Sequence, residues 1–195
     1  MPGIIIPLHE VFNYYDFMGI IESICNFFYY AGHGLPAENQ QDAYLLPVDG
    51  YGADGTGYSV NELYNELGGL NAKSVVVLLD ACFSGAKRDG GMIASARGVA
   101  IKAKQTAPKG NMVVLSAAQG DETAYPYKEQ GHGLFTYYLL KKLNETKGDV
   151  TLGELADYIT SNVKKTSVVE NGKLQTPTVV PSANIANSWR NMKLR

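Results

Sequence analysis

Three continuous apolar runs along the chain predict the strands of a buried sheet. They cover residues 27–31, 75–80 and 112–117, and each ends at small or polar residues. Strands with one solvated face alternate between apolar and polar positions, whereas parallel strands covered on both faces are apolar throughout. We therefore expect these three runs to form parallel strands with both faces covered.

Segments with helical spacing follow the strands. Ser59 and Glu62 form a capping-box pattern, which predicts a helix start. The apolar residues after it share one helical face, and a glycine pair ends the helix: Leu63, Tyr64, Leu67, Gly68 and Gly69. A second amphipathic helix is expected over residues 134–143.

A third helix is predicted from another capping box, formed by Thr151 and Glu154. Its inward face would carry three apolar residues, Leu155, Ile159 and Val163. Two lysines at 164 and 165 come next, and positive charge is favourable near a helix C-terminus, so we expect the helix to end there. Strands that alternate with helices predict an α/β fold, with a mainly parallel sheet flanked by helices.

Two stretches show neither the apolar runs of the strands nor the spacing of the helices, and we expect them to be long loops. Residues 35–58 are rich in Gly, Asp and Asn, and residues 85–110 contain six basic residues against one acid, Asp89. Loops of this length in a compact domain are usually functional or disordered.

Length and charge narrow the class of protein. A chain of 195 residues is typical of one domain, which we expect over residues 1–195. The net charge of −2 hides an asymmetry, because residues 1–72 hold nine acids and no Lys or Arg, while the remainder holds all 17 basic residues. Complementary halves of one fold, an acidic cleft for basic substrates, or an uneven surface would each produce this. No basic cluster with aromatic support appears, so we expect no nucleic-acid partner.

The sequence also bears on localisation. No apolar run approaches the ~20 residues of a membrane span, and no basic segment precedes an apolar one at the N-terminus. Two cysteines, Cys25 and Cys82, do not make a disulfide framework in a chain of this length. We therefore expect a cytoplasmic protein with reduced thiols and no membrane partner.

Two of the predicted strands run into reactive residues. The first leads into Gly32-His33-Gly34, and the second leads into Asp80-Ala81-Cys82. Ligands and catalytic groups gather at the carboxyl ends of parallel strands, so His33 and Cys82 would face one cleft if the strands are neighbours. A thiolate that attacks a carbonyl needs a nearby imidazole to move the proton. The backbone N–H groups of Gly34 and Cys82 would then form an oxyanion hole.

Each of these residues also has a structural interpretation. A lone cysteine is most often a small buried hydrophobe, and a lone histidine is often a hydrogen-bonded core residue. Packing explains less well why both follow neighbouring strands and why both have glycine-rich exits. The pair therefore favours nucleophilic catalysis.

At this point the chain resembles the caspase-like cysteine peptidases, and most closely their bacterial caspase-family and metacaspase branch. The segments Tyr30-Ala31-Gly32-His33-Gly34 and Leu79-Asp80-Ala81-Cys82-Phe83-Ser84-Gly85 are similar to the histidine and cysteine motifs of that family. The separation of 49 residues between His33 and Cys82 agrees with the ~50 typical of caspases. Further similar segments extend the resemblance over roughly residues 26–180: 44–49, 116–124, 133–137 and 175–177.

The resemblance implies a role for each matching residue. His33 would be the general acid or base and Cys82 the nucleophile. Asp80 matches an aspartate that lines the specificity pocket of metacaspases, with Ala31 and Asp121 as further substrate-binding residues. A carboxylate in that pocket selects Arg or Lys through charge-assisted hydrogen bonds. The structural alternative for Asp80 is a strand-end carboxylate bonded to nearby backbone.

Departures from the family pattern also matter. Metacaspases commonly have Ser where this chain has Ala31. Many have paired aspartates for calcium near the helix start, where this chain reads Ser59-Val60-Asn61-Glu62. Calcium takes roughly 6–8 oxygen ligands, and only scattered candidates such as Asp49 and Asp89 remain. We expect no cofactor and no metal, with calcium dependence left open.

The resemblance also divides the chain. Family members usually have a strand, a helix and another strand before the histidine strand, whereas this chain offers residues 1–26, with one short candidate strand at 4–8. We expect that part of the sheet to be missing or replaced. A large portion, about 1–85, and a small portion, 111–195, would be joined by a basic loop at 86–110. Self-cleavage is expected there, after one of four residues: Arg88, Arg97, Lys102 or Lys104.

The leading hypothesis is a cysteine endopeptidase that cuts peptide or protein substrates after Arg or Lys and that processes itself in the basic loop. The alternative is a catalytically weak caspase homologue that acts as a regulatory or interaction module. A flavodoxin-like ligand-binding domain would need a glycine-rich phosphate loop after its first strand, and none is found. The sequence leaves the oligomeric state open.

Overall fold

The computed structural model describes residues 25–37, 42–47, 56–70, 72–83, 107–120 and 122–194. In chain order, the strands are β1 (Cys25–Ala31), β2 (Gly34–Pro36), β3 (Ala43–Leu45), β4 (Tyr58–Ser59), β5 (Ser74–Asp80), β6 (Met112–Ser116), β7 (Pro126–Tyr127), β8 (His132–Gly133) and β9 (Thr178–Pro181). The helices of these residues are α1 (Val60–Gly68), α2 (Leu134–Thr146) and α3 (Leu152–Asn171).

The central sheet has the strand order β1-β5-β6-β9. The first three strands are parallel, and β9 runs antiparallel to β6. The register sets Ala31 opposite Asp80, and Leu79 opposite Ser116, so the carboxyl ends of β1, β5 and β6 lie at one edge of the sheet. The three apolar runs are thus confirmed as parallel strands of an α/β fold, and the structure shows that they are neighbours in the sheet.

Helices pack on both faces of this sheet. Alternate side chains of β5 point to opposite faces, as the strand period requires. Val75, Val77 and Leu79 pack in one cluster with the apolar face of α1, which is formed by Leu63, Tyr64 and Leu67. Val76 and Leu78 pack in a second cluster with buried residues of α2 and α3: Leu134, Phe135, Tyr138, Leu139, Leu152, Leu155, Ala156, Ile159 and Val163.

The covering of the strands differs from the prediction in one place. Every residue of β5 and β6 is buried, as expected for strands with both faces covered. In β1 the burial alternates, and Phe27 and Tyr29 are 49% and 47% exposed. Among the described side chains of this strand, Phe28 and Tyr30 pack against the core, so the expectation that both of its faces are covered was wrong.

Both predicted helix starts are confirmed. The Ser59 side chain accepts a hydrogen bond from the Glu62 N–H, 3.0 Å long, and Gly69 caps the other end of α1. At α3, Thr151 and Glu154 bond to each other reciprocally, and the hydrogen bond from the Thr151 backbone lowers the pKa of Glu154 from its ordinary value. The expected end of α3 was wrong, because the helix continues through Lys164 and Lys165 to a left-handed glycine at 172. Lysines favour a helix end, but they do not terminate a helix.

The first predicted loop also needs correction. Within residues 35–58, short strands β2 and β3 pair with each other, and β3 pairs with β4, in an antiparallel sheet. Strands of two or three residues are too short to produce a recognisable alternation in sequence.

Several predictions lie outside the described residues: the strand at 4–8 and the replaced N-terminal part of the sheet, the calcium candidates Asp49 and Asp89, the pocket residue Asp121, and the cleavage candidates Arg88, Arg97, Lys102 and Lys104.

The helices of the described residues bear on the membrane prediction. None of them combines the length and the apolar character that crossing a bilayer would require.

Candidate active site

The segment that carries His33 is fixed by its backbone. It follows β1 directly, and the carbonyl oxygen of His33 accepts a 3.0 Å hydrogen bond from the Leu46 N–H. The Tyr30 hydroxyl lies 2.8 Å from the carbonyl oxygens of both His33 and Leu46, and it accepts from the Leu46 N–H at 3.1 Å. Tyr30 therefore joins the histidine segment to the segment after β3, while the His33 side chain is exposed.

Cys82 follows β5, two residues beyond its end. The backbone on either side of this exit is paired, because the Gly32 N–H donates to the Asp80 carbonyl at 3.2 Å and the Ala117 N–H donates to the Leu79 carbonyl at 2.8 Å. The cysteine is 1% exposed and belongs to the same buried cluster as Ala117.

The histidine and cysteine segments touch at Gly34. A Cβ on this residue would lie 2.8 Å from the carbonyl oxygen of Cys82 and 2.4 Å from the ring of Phe83. Real Cβ atoms do not approach backbone this closely, so any larger residue would push the two segments apart. The glycine that follows His33 is thus required for the close approach, and the structure brings together the segments of the two predicted catalytic residues.

Asp80 lies at the same edge, and it is completely buried. Its Oδ2 accepts a 3.3 Å hydrogen bond from the Thr136 N–H and a shorter one from the Thr136 hydroxyl. The first residue before α2, Gly133, provides no side-chain cap, and a Cβ there would lie 2.3 Å from Asp80 Oδ2. Asp80, the last residue of β5, therefore caps the N-terminus of α2. A negative charge at that end of a helix interacts favourably with the helix dipole.

A third hydroxyl extends this arrangement outward. The Tyr29 and Thr136 hydroxyl oxygens are 2.7 Å apart. Because Thr136 donates its proton to Asp80, Tyr29 is the donor in this pair. A chain of hydrogen bonds thus connects the half-exposed Tyr29 with a buried carboxylate.

The structure places the remaining predicted residues as follows. Ala31 is exposed and lies opposite Asp80 in the strand register. The backbone contacts of Asp80 fit the structural alternative considered for it, and its role in a pocket stays a prediction. Thr136 was assigned no role from the sequence: it lies in the family-like segment 133–137, but nothing in that segment connects it with Asp80, 56 residues away. Tyr30 was also assigned no role from the sequence, although its position three residues before His33, inside the histidine motif, could have indicated one.

The described part of the chain contains no group of three or more His, Cys, Asp or Glu residues arranged to hold a metal ion.

The chain is similar to known proteins in sequence and in fold. A sequence model of the caspase domain matches residues 22–186. Among solved structures, protein GSU0716 from Geobacter sulfurreducens is similar, with 17% identity and a TM-score of 0.58 over 87% of this chain and 72% of that one. Caspase-1 from Spodoptera frugiperda has 14% identity and a TM-score of 0.49, and the match covers 80% of this chain and 59% of that one. None of the curated proteins matches this chain at a significant level.

The Asp80 contacts generate a prediction about stability. Replacing Thr136→Val keeps the shape of the side chain but removes the hydroxyl that donates to a buried carboxylate. Hydrogen bonds to charged groups contribute about 1.5–3 kcal/mol, so the free energy of unfolding should fall by that amount in urea titrations. The control variant Thr136→Ser keeps the hydroxyl and should lose clearly less. Equal losses in both variants would show that the methyl group matters and the hydrogen bond does not.

Proposed function

Since the chain belongs to the caspase-domain family, we propose that it is a cysteine endopeptidase that hydrolyses peptide bonds after Arg or Lys. Members of this family are cysteine peptidases, and the proposal that His33 and Cys82 act together depends on one observation. Gly34 packs directly against the Cys82 backbone, so the segments of His33 and Cys82 share the carboxyl edge of the sheet. The proposed substrates are peptides or proteins with basic residues.

In the proposed mechanism, the Cys82 sulfur attacks the carbonyl carbon of the scissile bond, and His33 takes the thiol proton. The negative charge that develops on the carbonyl oxygen is stabilised by the backbone N–H groups of Gly34 and Cys82. The C–N bond then breaks as His33 returns the proton to the leaving amine, which leaves a thioester. Water attacks the thioester as His33 accepts a proton from the water, the C–S bond breaks to release the acid, and His33 returns its proton to the sulfur to restore the thiol.

The proposed specificity depends on Asp80. The Thr136 hydroxyl and N–H fix the orientation of this carboxylate beside the cysteine segment. A guanidinium or ammonium group of the substrate would add a charge-assisted hydrogen bond in a site from which water is excluded. An acidic cleft, one of the three explanations for the nine acids and the absence of Lys and Arg over residues 1–72, would fit basic substrates.

A second candidate function follows from the burial of Cys82. Catalytic cysteines usually lie in partly exposed sites, and this side chain is 1% exposed. That observation favours a catalytically weak homologue that acts as a regulatory or interaction module. Labelling with iodoacetamide near neutral pH separates the two: selective, His33-dependent labelling of Cys82 supports the peptidase, and its absence supports the module.

Variants of the proposed dyad test the mechanism. Cys82→Ala removes only the sulfur from a site that Ala fills almost as well, so hydrolysis of Arg and Lys peptides should be abolished while the circular-dichroism spectrum and unfolding midpoint stay close to those of the wild type. His33→Ala, at an exposed side chain, should abolish hydrolysis as well. If the Cys82→Ala protein cleaves at the wild-type rate, the proposed mechanism is wrong.

The specificity proposal is tested by Asp80→Asn, which keeps the shape and removes the charge. Loss of one partner of a buried charge pair costs about 2–5 kcal/mol, so kcat/KM for an Arg peptide should fall well over tenfold. The same peptide with Leu in place of Arg provides the control, because a merely structural defect would lower both values in parallel. An equal fall for both peptides, or equal wild-type activity on Arg and Asp peptides, would contradict the pocket assignment.

Self-processing is proposed for the basic loop at 86–110, because it contains the residues that the proposed pocket would accept. Purified wild-type protein should slowly give two fragments, with a new N-terminus after Arg88, Arg97, Lys102 or Lys104. The Cys82→Ala protein should stay whole during the same incubation. Mass spectrometry identifies the cut, and identical fragments from Cys82→Ala would assign the cleavage to a contaminating protease.

A further inference from the structure

Residues 117–120 and 122–125, which connect β6 with β7, lie at the sheet edge where Cys82 follows β5. They begin where the Ala117 N–H donates to the Leu79 carbonyl, at the end of the strand that carries the cysteine. Cys82 shares a buried cluster with three small residues of this segment: Ala117, Ala118 and Ala124. The described residues between β6 and β7, 117–120 and 122–125, are here named the β6–β7 segment, and they lie at the same edge of the sheet as Cys82.

One buried side chain joins the two ends of the β6–β7 segment. The carboxamide of Gln175 donates to the Ala117 carbonyl and accepts from the Tyr125 N–H, both at 2.8 Å. Gln175 is completely buried, and its own N–H donates to the Ser167 hydroxyl of α3 at 2.9 Å. A buried carboxamide is costly unless its polar atoms are paired, and here both ends of the amide are used.

The middle of the segment is bonded to Thr176, the residue that follows Gln175. The Glu122 carboxylate accepts from the Thr176 N–H at 2.5 Å and from the Thr176 hydroxyl at 3.0 Å. The segment also closes on itself, because Gln119 donates to the Glu122 carboxylate at 3.1 Å and its carbonyl accepts from the Glu122 N–H at 2.8 Å. Two consecutive residues, Gln175 and Thr176, thus hold the segment at its ends and at its middle.

We propose that Gln175 and Glu122 are positioning residues for substrate: they hold the β6–β7 segment as the wall against which an extended peptide binds beside Cys82. The inference rests on the proposed peptidase function and adds residues to which that function assigned no role. An apolar residue at 175 would fill the space, but it would leave the Ala117 carbonyl and the Tyr125 N–H without their present partner. The hydrogen bonds of Gln175 therefore hold the backbone of this segment in its present conformation. Both residues act through the segment and not on the reacting atoms.

A positioning role makes a specific kinetic prediction. Glu122→Gln keeps the size of the side chain but replaces one of the two oxygens that accept from Thr176 and Gln119 with a donor. KM for an Arg peptide should rise about fivefold or more, with kcat within about twofold of the wild-type value, because binding is weakened and the reacting groups are unchanged. The rate of Cys82 labelling by iodoacetamide, a reagent too small to use the peptide wall, should also be unchanged.

Two further variants complete the test. Glu145→Gln makes the same chemical change at an exposed position of α2 and should leave KM unchanged. Gln175→Glu removes the donor to the Ala117 carbonyl and should raise KM further, and if this buried variant fails to fold, Glu122→Gln decides the question. An unchanged KM in Glu122→Gln, or a parallel loss of kcat and of labelling rate, would overturn the positioning role.

Peptide binding to the Cys82→Ala protein separates this inference from the proposed function. Fluorescence anisotropy with a labelled Arg peptide should show about fivefold or more weaker binding when Glu122→Gln is added to Cys82→Ala. If the wild type hydrolyses no peptide and this weakening is still observed, the peptidase proposal fails and the positioning role stands. If the wild type hydrolyses peptides and Glu122→Gln changes neither KM nor this affinity, the positioning role fails and the peptidase proposal stands.

Discussion

The parallel register of β1 and β5 is the constraint on which the site depends. It sets Ala31 opposite Asp80, so both strands end level, and the residues that follow them enter the same space. Gly34 then lies against the Cys82 carbonyl with no room for a Cβ. A shift of β5 by one residue would turn its side chains to the opposite face and would take the buried Asp80 carboxylate away from Thr136. This buried contact opposes a shift, and the register fixes which loops meet.

Buried polar contacts then connect this edge with the C-terminal part of the chain. Asp80 at the end of β5 is held by Thr136 of α2, and the segment after β6 is held by Gln175. In each case a group without access to water is paired with a donor or acceptor that lies more than fifty residues away in sequence. Unpaired polar groups at these positions would be costly, so the two portions of the domain stabilise each other's geometry at the sheet edge.

Local patterns were reliable where the physical cause is local. Continuous apolar runs identified the parallel strands, and the side chains of Ser59 and Thr151 cap the helices that they were expected to start. The errors have causes that act at longer range. The exposed face of β1 depends on which neighbours cover it, and the length of α3 depends on a left-handed glycine at 172 that stops the helix after the two lysines.

The sequence by itself determined the α/β class, the strands that lead into His33 and Cys82, and the resemblance to the caspase-like peptidases. These follow from periodicity and from short motifs, which are properties of neighbouring residues. Only the tertiary structure decided that Thr136 bonds Asp80, that Tyr30 joins the His33 and Leu46 backbones, and that Gln175 holds the segment beside Cys82. A buried polar side chain can be satisfied by any donor or acceptor that the fold brings within about 3 Å, and no local pattern records which one that is.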